Sequence, residues 1–334
     1  MDERIISNNL LIDDEVDVTL RPKTFKEYVG QKNVKEMVEI AVKAAKLRNE
    51  SLDHVLLYGP PGLGKTTLAQ VIAHELGVTM RSCSGPTIER TGDLAAILTS
   101  LEPGDVLFID EIHRLPKIVE EILYSSMEDY VIDIVVGKDS GAKSIRVDLA
   151  PFTLIGATTR FGDLTGPLRD RFGIVHKLEF YTNEDLESIC KRTAKIYDYP
   201  ANSEAMVELA KRSRGTPRIV NRLFRRVRDF ADILGDGTIT LDITKIALSK
   251  LKIDELGLDS KDREYLLGII DRYKGGPVGL ETIATSISED PKTLEDVYEP
   301  FLIQNGFISR TPRGRIVTEK AYKHLDKIYQ GSLF

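Results

Sequence analysis

The sequence has 334 residues, 42% of them hydrophobic, and a formal net charge of −6, which favours two or three domains that each bury a core. Its two cysteines and five histidines fit neither a disulfide framework nor a metal-binding spacing, so we expect reduced thiols and a cytoplasmic protein. No apolar run approaches the length of about 18 residues that spans a membrane, and the first residues do not resemble a signal segment.

Up to about residue 180, short β-rich runs alternate with helical patterns. The β-rich runs are HVLLY, VTMRS, DVLFID, FTLIGAT and IVHKLEFY, and the helical patterns cover 64–76, roughly 91–99 and 117–127. This alternation predicts an α/β domain over residues 1–181, with a parallel sheet and helices on both faces.

The stretch GPPGLGKTT follows the first β-rich run and precedes a helical pattern. It fits the phosphate-binding pattern G-x-x-x-x-G-K-[ST] in the strand-then-helix context that the pattern requires. Its glycines let several backbone N–H groups point at one anion, Lys65 adds charge at the terminal phosphates, and Thr66 offers a hydroxyl to Mg²⁺. The alternative is an ordinary turn rich in glycine and proline. We assign the whole loop to nucleotide binding: Gly59, Pro60, Pro61, Gly62, Leu63, Gly64, Lys65, Thr66 and Thr67.

A second run, VLFIDE, ends in two carboxylates, Asp110 and Glu111. Ligands of open α/β sheets bind beyond the carboxyl ends of the strands, where these acids are expected. We predict that Asp110 orients Mg²⁺ through water and that Glu111 polarises the attacking water. An acidic pair at a strand end is weak support alone, but it gains weight beside a phosphate loop.

Residues 131–149 interrupt the α/β alternation. They read VIDIVVGKDSGAKSIRVDL, which predicts two strands around a turn and thus an inserted hairpin. Both faces carry apolar residues, so one face can pack on the sheet domain while the other is left over. The alternative is an edge hairpin packed wholly within its own domain.

Phosphoryl transfer also requires positive charge near the transferred group. The candidates, in chain order, are the arginines of ATTR (157–160), PLRDRFG (167–173) and GTPR (215–218). Position alone does not distinguish such an arginine from a solvated surface charge.

After Thr182 the pattern becomes entirely helical, and we predict a small helical domain over 182–252. A linker, KIDELGLDS, precedes a third domain over 255–334. There, helical patterns over 260–273, 279–287 and 291–304 are followed by two short strands around a Pro-Arg-Gly-Arg turn, which predicts a winged helix.

Basic residues concentrate in two stretches despite the negative net charge. Eight Lys or Arg and no acid lie between Leu209 and Arg228, and six basic residues lie between Ser309 and Lys327. Net charge therefore does not exclude a nucleic-acid partner.

The series GPPGLGKT, FIDE, ATT, RDRFG and GTPR resembles the AAA+ ATPases. Together with LRPKTFKEYVGQ, EIHRL, EDY and TPRGR, it is similar to the bacterial RuvB family over nearly the whole chain. The resemblance implies ATP or ADP with Mg²⁺, a hexameric ring, and ATP-driven branch migration of Holliday junctions in recombination and repair. It also implies a RuvA partner and, less directly, the RuvC resolvase.

The resemblance carries further roles over to matching positions. Thr159 matches the sensor that reads the γ-phosphate, Arg171 matches the arginine finger that reaches the neighbouring subunit's ATP, and Arg218 matches the lid sensor. The catalytic set is Lys65, Asp110, Glu111, Thr159, Arg171 and Arg218. Further nucleotide contacts implied by the family are Leu20, Arg21, Tyr28, Val29, Glu128, Asp129, Tyr130, Tyr181 and Pro217.

Two surfaces follow from the same resemblance. The family's hairpin docks on RuvA, which implies contacts from Ile132, Ile134, Val135 and Val136. The wing arginines Arg310, Arg313 and Arg315 surround a turn suited to the phosphates of duplex DNA, so we expect sequence-independent binding of duplexes and four-way junctions. No DNA contact is assigned to the basic stretch 209–228.

Two other functions fit the same motifs. One is a nucleotide-gated switch, in which a winged helix binds DNA and ATP sets assembly; the pair Glu111 and Arg171 favours a motor over it. The other is a clamp-loader-like or initiator ATPase, which is not expected to combine this hairpin with TPRGR.

Overall fold

The structure is a computed structural model and describes residues 20–136 and 143–329. The chain divides into two compact units. The first, here called the sheet unit, contains Arg21–Gly59 and Leu63–Glu179. The second, here called the helical unit, contains Leu20, Pro60–Gly62 and the described chain from Phe180 onward. Among the described residues, no helix is both long and apolar enough to cross a membrane.

A five-stranded parallel sheet forms the centre of the sheet unit. Its strands are β1 (Val55–Tyr58), β2 (Met80–Ser84), β3 (Val106–Asp110), β6 (Thr153–Thr158) and β7 (Ile174–Lys177), in the order β2-β3-β6-β1-β7. Strand β6 is buried throughout, and β1 and β3 are buried except at their last residues. Continuous burial is typical of parallel strands covered on both faces, and it explains the unbroken apolar runs in the sequence.

Helices cover this sheet. They are α1 (Lys32–Arg48), α2 (Lys65–Leu76), α3 (Thr91–Leu98), α4 (Lys117–Glu128) and the short α5 (Gly166–Arg169). Their buried positions recur at helical spacing, as in α2, where Leu68, Ala69, Val71 and Ile72 are fully buried.

A buried histidine ties three parts of the sheet unit together. The Nδ1 atom of His54 accepts the N–H of Leu154 at 2.9 Å, so its Nε2 must carry the proton that is donated to the Met127 carbonyl at 3.0 Å. Burial lowers the pKa of His54, with partial opposition from that carbonyl and from Asp53. The neutral ring therefore fits this position.

The expected hairpin lies between α4 and β6. Strands β4 (Val131–Val136) and β5 (Lys143–Asp148) pair antiparallel, with Ile132 opposite Val147 and Ile134 opposite Ile145. The turn between them, 137–142, lies outside the described residues.

The first part of the helical unit is the predicted small helical domain, here called the lid. Its four helices are α6 (Asn183–Ile196), α7 (Ser203–Lys211), α8 (Pro217–Leu234) and α9 (Leu241–Lys250). Thr182 and Thr240 cap α6 and α9 by accepting backbone N–H groups with their hydroxyls. Helix α8 buries one stripe, Val220, Leu223, Phe224, Val227 and Ala231, and this spacing places its arginines on the other faces.

The last part of the helical unit, here called the head, contains α10 (Ser260–Leu267), α11 (Leu280–Ser286), α12 (Pro291–Thr293), α13 (Glu299–Gln304) and α14 (Glu319–His324). Wider π-helical turns, Gly268–Arg272 and Leu294–Tyr298, continue α10 and join α12 to α13. Strands β8 (Ile308–Thr311) and β9 (Gly314–Val317) pair antiparallel as the wing.

The predicted linker is an ordered turn. The Asp254 carboxylate accepts the N–H groups of Leu256 and Leu258, at 3.0 and 2.9 Å, while Ile253 and Leu258 are buried. Polar and glycine residues therefore form a specific turn within the predicted linker.

Candidate functional site

Three neighbouring strands end at one edge of the sheet. Strand β6 lies between β1 and β3, with Thr158 opposite Tyr58 and Gly156 opposite Ile109. The phosphate loop follows β1, the two carboxylates follow β3, and Thr159 follows β6. Since parallel strands end on the same side, the sheet brings these three segments to one edge.

All three glycines of the loop have a positive φ, a conformation that a side chain would oppose. Gly59 has φ +141°, and a Cβ there would lie 2.5 Å from the Leu178 carbonyl oxygen. Gly64, just before α2, has φ +91°. A phosphate loop requires this close backbone approach.

Lys65 begins helix α2 and is 7% exposed. Its Nζ donates to the Gly59 carbonyl at 2.8 Å, which holds the ammonium inside the loop. The first N–H groups of a helix also favour an anion. The sequence thus folds into a cradle whose charge and geometry fit a phosphate chain.

Asp110 is the last residue of β3 and Glu111 follows it, and both are half-buried. The Oδ1 of Asp110 accepts the Glu111 N–H at 2.9 Å. Glu111 has φ +49°, a conformation that non-glycine residues seldom adopt and that is concentrated at functional sites. The backbone therefore turns sharply between two adjacent carboxylates.

Neighbouring side chains hold the Glu111 carboxylate. Its Oε2 accepts the Thr159 hydroxyl at 3.3 Å and lies 3.3 Å from Nδ1 of His113. His113 Nδ1 also lies 2.9 Å from the Thr158 hydroxyl, and the histidine side chain is 6% exposed. Sequence reasoning assigned no role to His113, although the quoted EIHRL motif contains it.

Arg171 lies on the surface of the sheet unit, and its contacts are local. Its guanidinium donates to the Pro167 carbonyl at 2.9 Å and to the Glu128 carboxylate at 3.0 Å, and it stacks 4.9 Å above the Tyr124 ring. Its side chain remains 29% exposed. Two residues assigned from the family, Arg171 and Glu128, are therefore an ion pair on one surface, and the exposed Asp129 is adjacent.

The remaining family-assigned residues of the sheet unit differ in exposure. Tyr28 is 3% exposed, and its carbonyl accepts the Lys35 ammonium at 3.0 Å. Arg21 and Val29 are half-buried. Tyr130 has φ +53° and packs edge-on against Phe152.

The helical unit holds the other family-assigned positions. The Arg218 N–H lies 3.5 Å from the Gly62 carbonyl, and Pro217 is the first residue of α8. Tyr181 is buried and donates its N–H to the Gly215 carbonyl. A cleft is lined by Pro60, Pro61, Gly62, Phe180, Arg214, Thr216, Arg218, Ile219, Arg222, Val297, Pro300 and Phe301. Leu20 is buried, and its carbonyl accepts from Arg192.

The wing arginines differ strongly from one another. Arg313 is exposed at the turn. Arg310 and Arg315 both pair with Glu299, a carboxylate with 0% side-chain exposure. Arg315 is only 16% exposed, and its Nε donates to Glu299 at 2.8 Å. Two of the three arginines expected to contact DNA are therefore engaged by a buried carboxylate.

Glu299 also accepts the Tyr265 hydroxyl at 2.7 Å. Burial acts to raise the pKa of Glu299, but the hydrogen bonds from Arg315, Tyr265 and Arg310 outweigh it and hold that pKa below its usual range. The carboxylate is therefore ionised at neutral pH and anchors the wing.

On the hairpin, the structure corrects the assignment of Ile132. It is 1% exposed and belongs to the hydrophobic core of the sheet unit, so it has no surface to offer a partner. Ile145, on the second strand, is 49% exposed. The side chains of Ile134, Val135 and Val136 lie outside the described part of the structure.

Family models match the chain between residues 20 and 326. Residues 20–178 match the Holliday junction DNA helicase RuvB P-loop domain, residues 181–254 match the RuvB AAA lid domain, and residues 255–326 match the RuvB C-terminal winged helix domain. These matches confirm the predicted fold class, an α/β P-loop domain with a helical lid and a winged helix.

Similar proteins extend over the full length. The Holliday junction branch migration complex subunit RuvB of Acholeplasma laidlawii is 60% identical over 333 residues, 99% of each chain. The structure of the Thermotoga maritima RuvB Holliday junction branch migration motor is 54% identical, covers 93% of this chain and 99% of that chain, and has a TM-score of 0.86. A variant of the same protein is 55% identical, with 92% and 98% covered and a TM-score of 0.86. The chain belongs to the RuvB family of AAA+ ATPases.

Proposed function

We propose that this protein is an ATP-driven motor that promotes branch migration of Holliday junctions in recombination and repair, in the cytoplasm. The observation that carries the proposal is the meeting of a phosphate loop, two carboxylates and Thr159 at one sheet edge, in a chain that also contains a winged helix. The full-length similarity to RuvB proteins supports the choice of DNA substrate.

In the proposed reaction, each residue at the sheet edge has one task. Lys65 and the loop N–H groups bind the phosphates of ATP. This binding positions the γ-phosphate for in-line attack by water. Glu111 polarises the attacking water, and Thr159, which donates to Glu111 at 3.3 Å, couples that carboxylate to the γ-phosphate. A positioned base of this kind contributes about 10²–10⁴-fold to rate.

The donor set at this edge fits Mg²⁺, which takes few protein ligands and keeps several waters. Thr66 follows Lys65 in the first turn of α2, and Asp110 ends β3 with its second carboxylate oxygen available beyond the bond from Glu111. Thr66 would bind the ion directly, and Asp110 would hold it through water. When bound, the ion neutralises charge on the β- and γ-phosphates.

The positive charge for the transition state comes, in this proposal, from two arginines. Arg218 acts from the lid of the same subunit. Arg171 acts on the ATP of a neighbouring subunit in a hexameric ring, and its exposed pair with Glu128 gives a surface on which such a contact can form. The family-assigned residues Arg21, Val29 and Pro217 contact the nucleotide, whereas the burial of Leu20 and Tyr28 favours backbone contacts from these two.

Mixed rings test the shared site. Subunits with Arg171→Ala should regain hydrolysis when mixed with subunits that carry Lys65→Ala. In a mixed ring, some sites combine Lys65 of an Arg171→Ala subunit with Arg171 of a neighbouring Lys65→Ala subunit. Equal inactivity of all mixtures would contradict a site shared between neighbours. Mixtures of two preparations of the same variant provide the matched control.

The proposed DNA contact of the wing centres on Arg313. The turn holds this side chain in solvent, while the exposed part of Arg310, with 45% of its side chain accessible, lies on the strand beside it. Such contacts read phosphates rather than bases, which suits a motor that must pass any sequence. We assign Arg315 to holding the wing in place instead.

The hairpin is the proposed contact for RuvA. Its core-facing side contains Ile132 and Val147, and the same face continues outward to Ile145. A half-exposed isoleucine beyond the packed end is the apolar surface that a partner would cover. RuvC would act on the same junctions.

The second candidate is a nucleotide-gated switch, in which the winged helix binds DNA and ATP controls only the assembly of the protein. The test is separation of a synthetic four-way junction into duplexes by the purified protein with RuvA, ATP and Mg²⁺. Separation supports the motor. Stable junction binding and ATP turnover without separation would support a switch or a loader.

A further inference from the structure

One arginine of the basic stretch is buried in protein. Arg214 lies in the turn before α8, and its side chain is 2% exposed. The seven other basic side chains between Leu209 and Arg228 are half-buried or exposed. A guanidinium out of water requires partners for its fixed set of donors.

The side chain of Arg214 contacts the head and the turn that precedes it. Its Nε donates to the Gly257 carbonyl at 2.7 Å, and its terminal nitrogens bond the Asp262 carboxylate and lie 3.4 Å from the Asp259 carboxylate. The guanidinium also stacks 5.0 Å from the Phe301 ring. Arg214 therefore connects the lid to the turn before α10, to α10 itself and to α13.

The head side of this connection is fixed. Asp262 has 0% side-chain exposure and shares a capping box with Asp259 at the start of α10. Burial raises the pKa of Asp262, and the Arg214 guanidinium opposes that rise. Removal of either member would leave a buried polar group without its partner, which is strongly unfavourable.

The lid side is equally constrained. Arg214 has φ +55°, and its carbonyl accepts the Thr216 hydroxyl at 3.0 Å. Gly215 packs so closely on Phe180 that a Cβ there would lie 2.8 Å from the Phe180 Cβ. Three residues separate Arg214 from Arg218, the lid residue proposed to sense ATP. The backbone between the two arginines is thus a short, tightly held segment.

We infer that Arg214 is a positioning residue that locks the head to the Arg218 segment of the lid, so that a nucleotide-driven change at Arg218 moves the DNA-binding head. The inference rests on the proposed motor function. The lid and the head then move as one body, and Arg214 affects how much DNA movement each ATP produces rather than the rate of hydrolysis.

The test compares two rates in the same protein: ATP hydrolysis and junction migration with RuvA. Asp262→Asn keeps the shape of the head residue, and Arg214→Lys keeps the charge of the lid residue. Glu264→Gln, on the exposed side of the same helix and paired with Lys261, is the control. In both test variants, migration per ATP should fall about two- to thirtyfold, while the hydrolysis rate stays within about twofold of wild type.

Two outcomes would overturn the inference. One is an unchanged migration per ATP in a folded variant, and the other is a loss of hydrolysis in parallel with migration. Failure of the wild type to move junctions would instead count against the motor function itself.

A second measurement does not depend on these variants folding. Spin labels on cysteines introduced at the exposed positions Glu204→Cys of the lid and Lys292→Cys of the head report the distance between the two parts. The half-buried Cys83 is replaced by serine so that it does not react with the label. The distance should be the same with ADP and with a slowly hydrolysed ATP analogue. A change of several ångström between these states would contradict a locked lid and head.

Discussion

Replacement of Arg315 by alanine should destabilise the head far more than the loss of a surface charge would. Arg315 contributes two hydrogen bonds to Glu299, at 2.8 and 3.2 Å, and only 16% of its side chain is exposed. The substitution would leave a fully buried carboxylate with the remaining donors Arg310 and Tyr265. Arg315 therefore acts chiefly on stability.

The magnitude follows from these contacts. Breaking a buried ion pair by removing one partner costs about 3–5 kcal/mol when nothing else satisfies the remaining charge. Because Arg310 and Tyr265 still donate to Glu299, we expect about 2–3 kcal/mol for Arg315→Ala. For a domain of the size of the head, that corresponds to a fall of roughly 8–24 °C in the melting temperature of the head. Arg313→Ala, at an exposed position, should change stability by less than about 0.5 kcal/mol.

The assay is thermal unfolding of the full chain, followed by calorimetry and far-ultraviolet circular dichroism, with Arg313→Ala as the matched control. Arg315→Lys should recover part of the loss, because a charge would still face Glu299. Equal melting temperatures for Arg315→Ala and Arg313→Ala would refute the reasoning and would restore Arg315 to the DNA-contact set.

Three further predictions follow from the site and the fold. Arg313→Ala should weaken duplex binding equally for all sequences and lower the slope of log affinity against log salt by about 1, whereas Lys323→Ala should leave the slope unchanged. Ile145→Asp should reduce RuvA binding, and Arg146→Ala, on the opposite face of the hairpin, should not; equal binding by both would exclude this face. Burial lowers the pKa of His54 in the folded protein below the unfolded value of about 6.5. The neutral His54 ring therefore contributes its full stabilisation above about pH 6.5, and this stabilisation is lost as the pH falls towards the folded pKa, by up to about 1.4 kcal/mol per pH unit. The melting temperature of His54→Asn should depend less on pH over that range than that of the wild type. Parallel pH profiles of the two melting temperatures would count against this role of His54.

Much of the sheet edge could be predicted because its determinants are local. Three glycines around Lys65 specify a loop conformation, and an apolar run that ends in Asp110 and Glu111 specifies a buried strand with acids at its end. The entirely helical pattern after Thr182 predicted the small helical domain for the same reason. Where a short segment contains its own structural requirements, sequence is sufficient.

The remaining features depend on contacts between distant residues. Nothing near Arg315 in the sequence indicates that Glu299, sixteen positions earlier, is buried against it. The alternation of side chains along a strand does not show which face of the hairpin packs on the core. Ile132 was therefore expected to contact the partner, although it lies in the core. Arg214 looks like any other arginine of a basic stretch until Asp262, 48 positions away, is brought against it.

Glu111→Gln provides the most direct test of the central claim, that hydrolysis at this sheet edge drives DNA movement. The variant keeps the shape of the side chain but cannot polarise water, so it should bind ATP and junctions like the wild type. With RuvA, ATP and Mg²⁺, the wild type should separate a synthetic four-way junction into duplexes, and Glu111→Gln should leave the junction intact. Junction separation by Glu111→Gln at the wild-type rate would contradict the account.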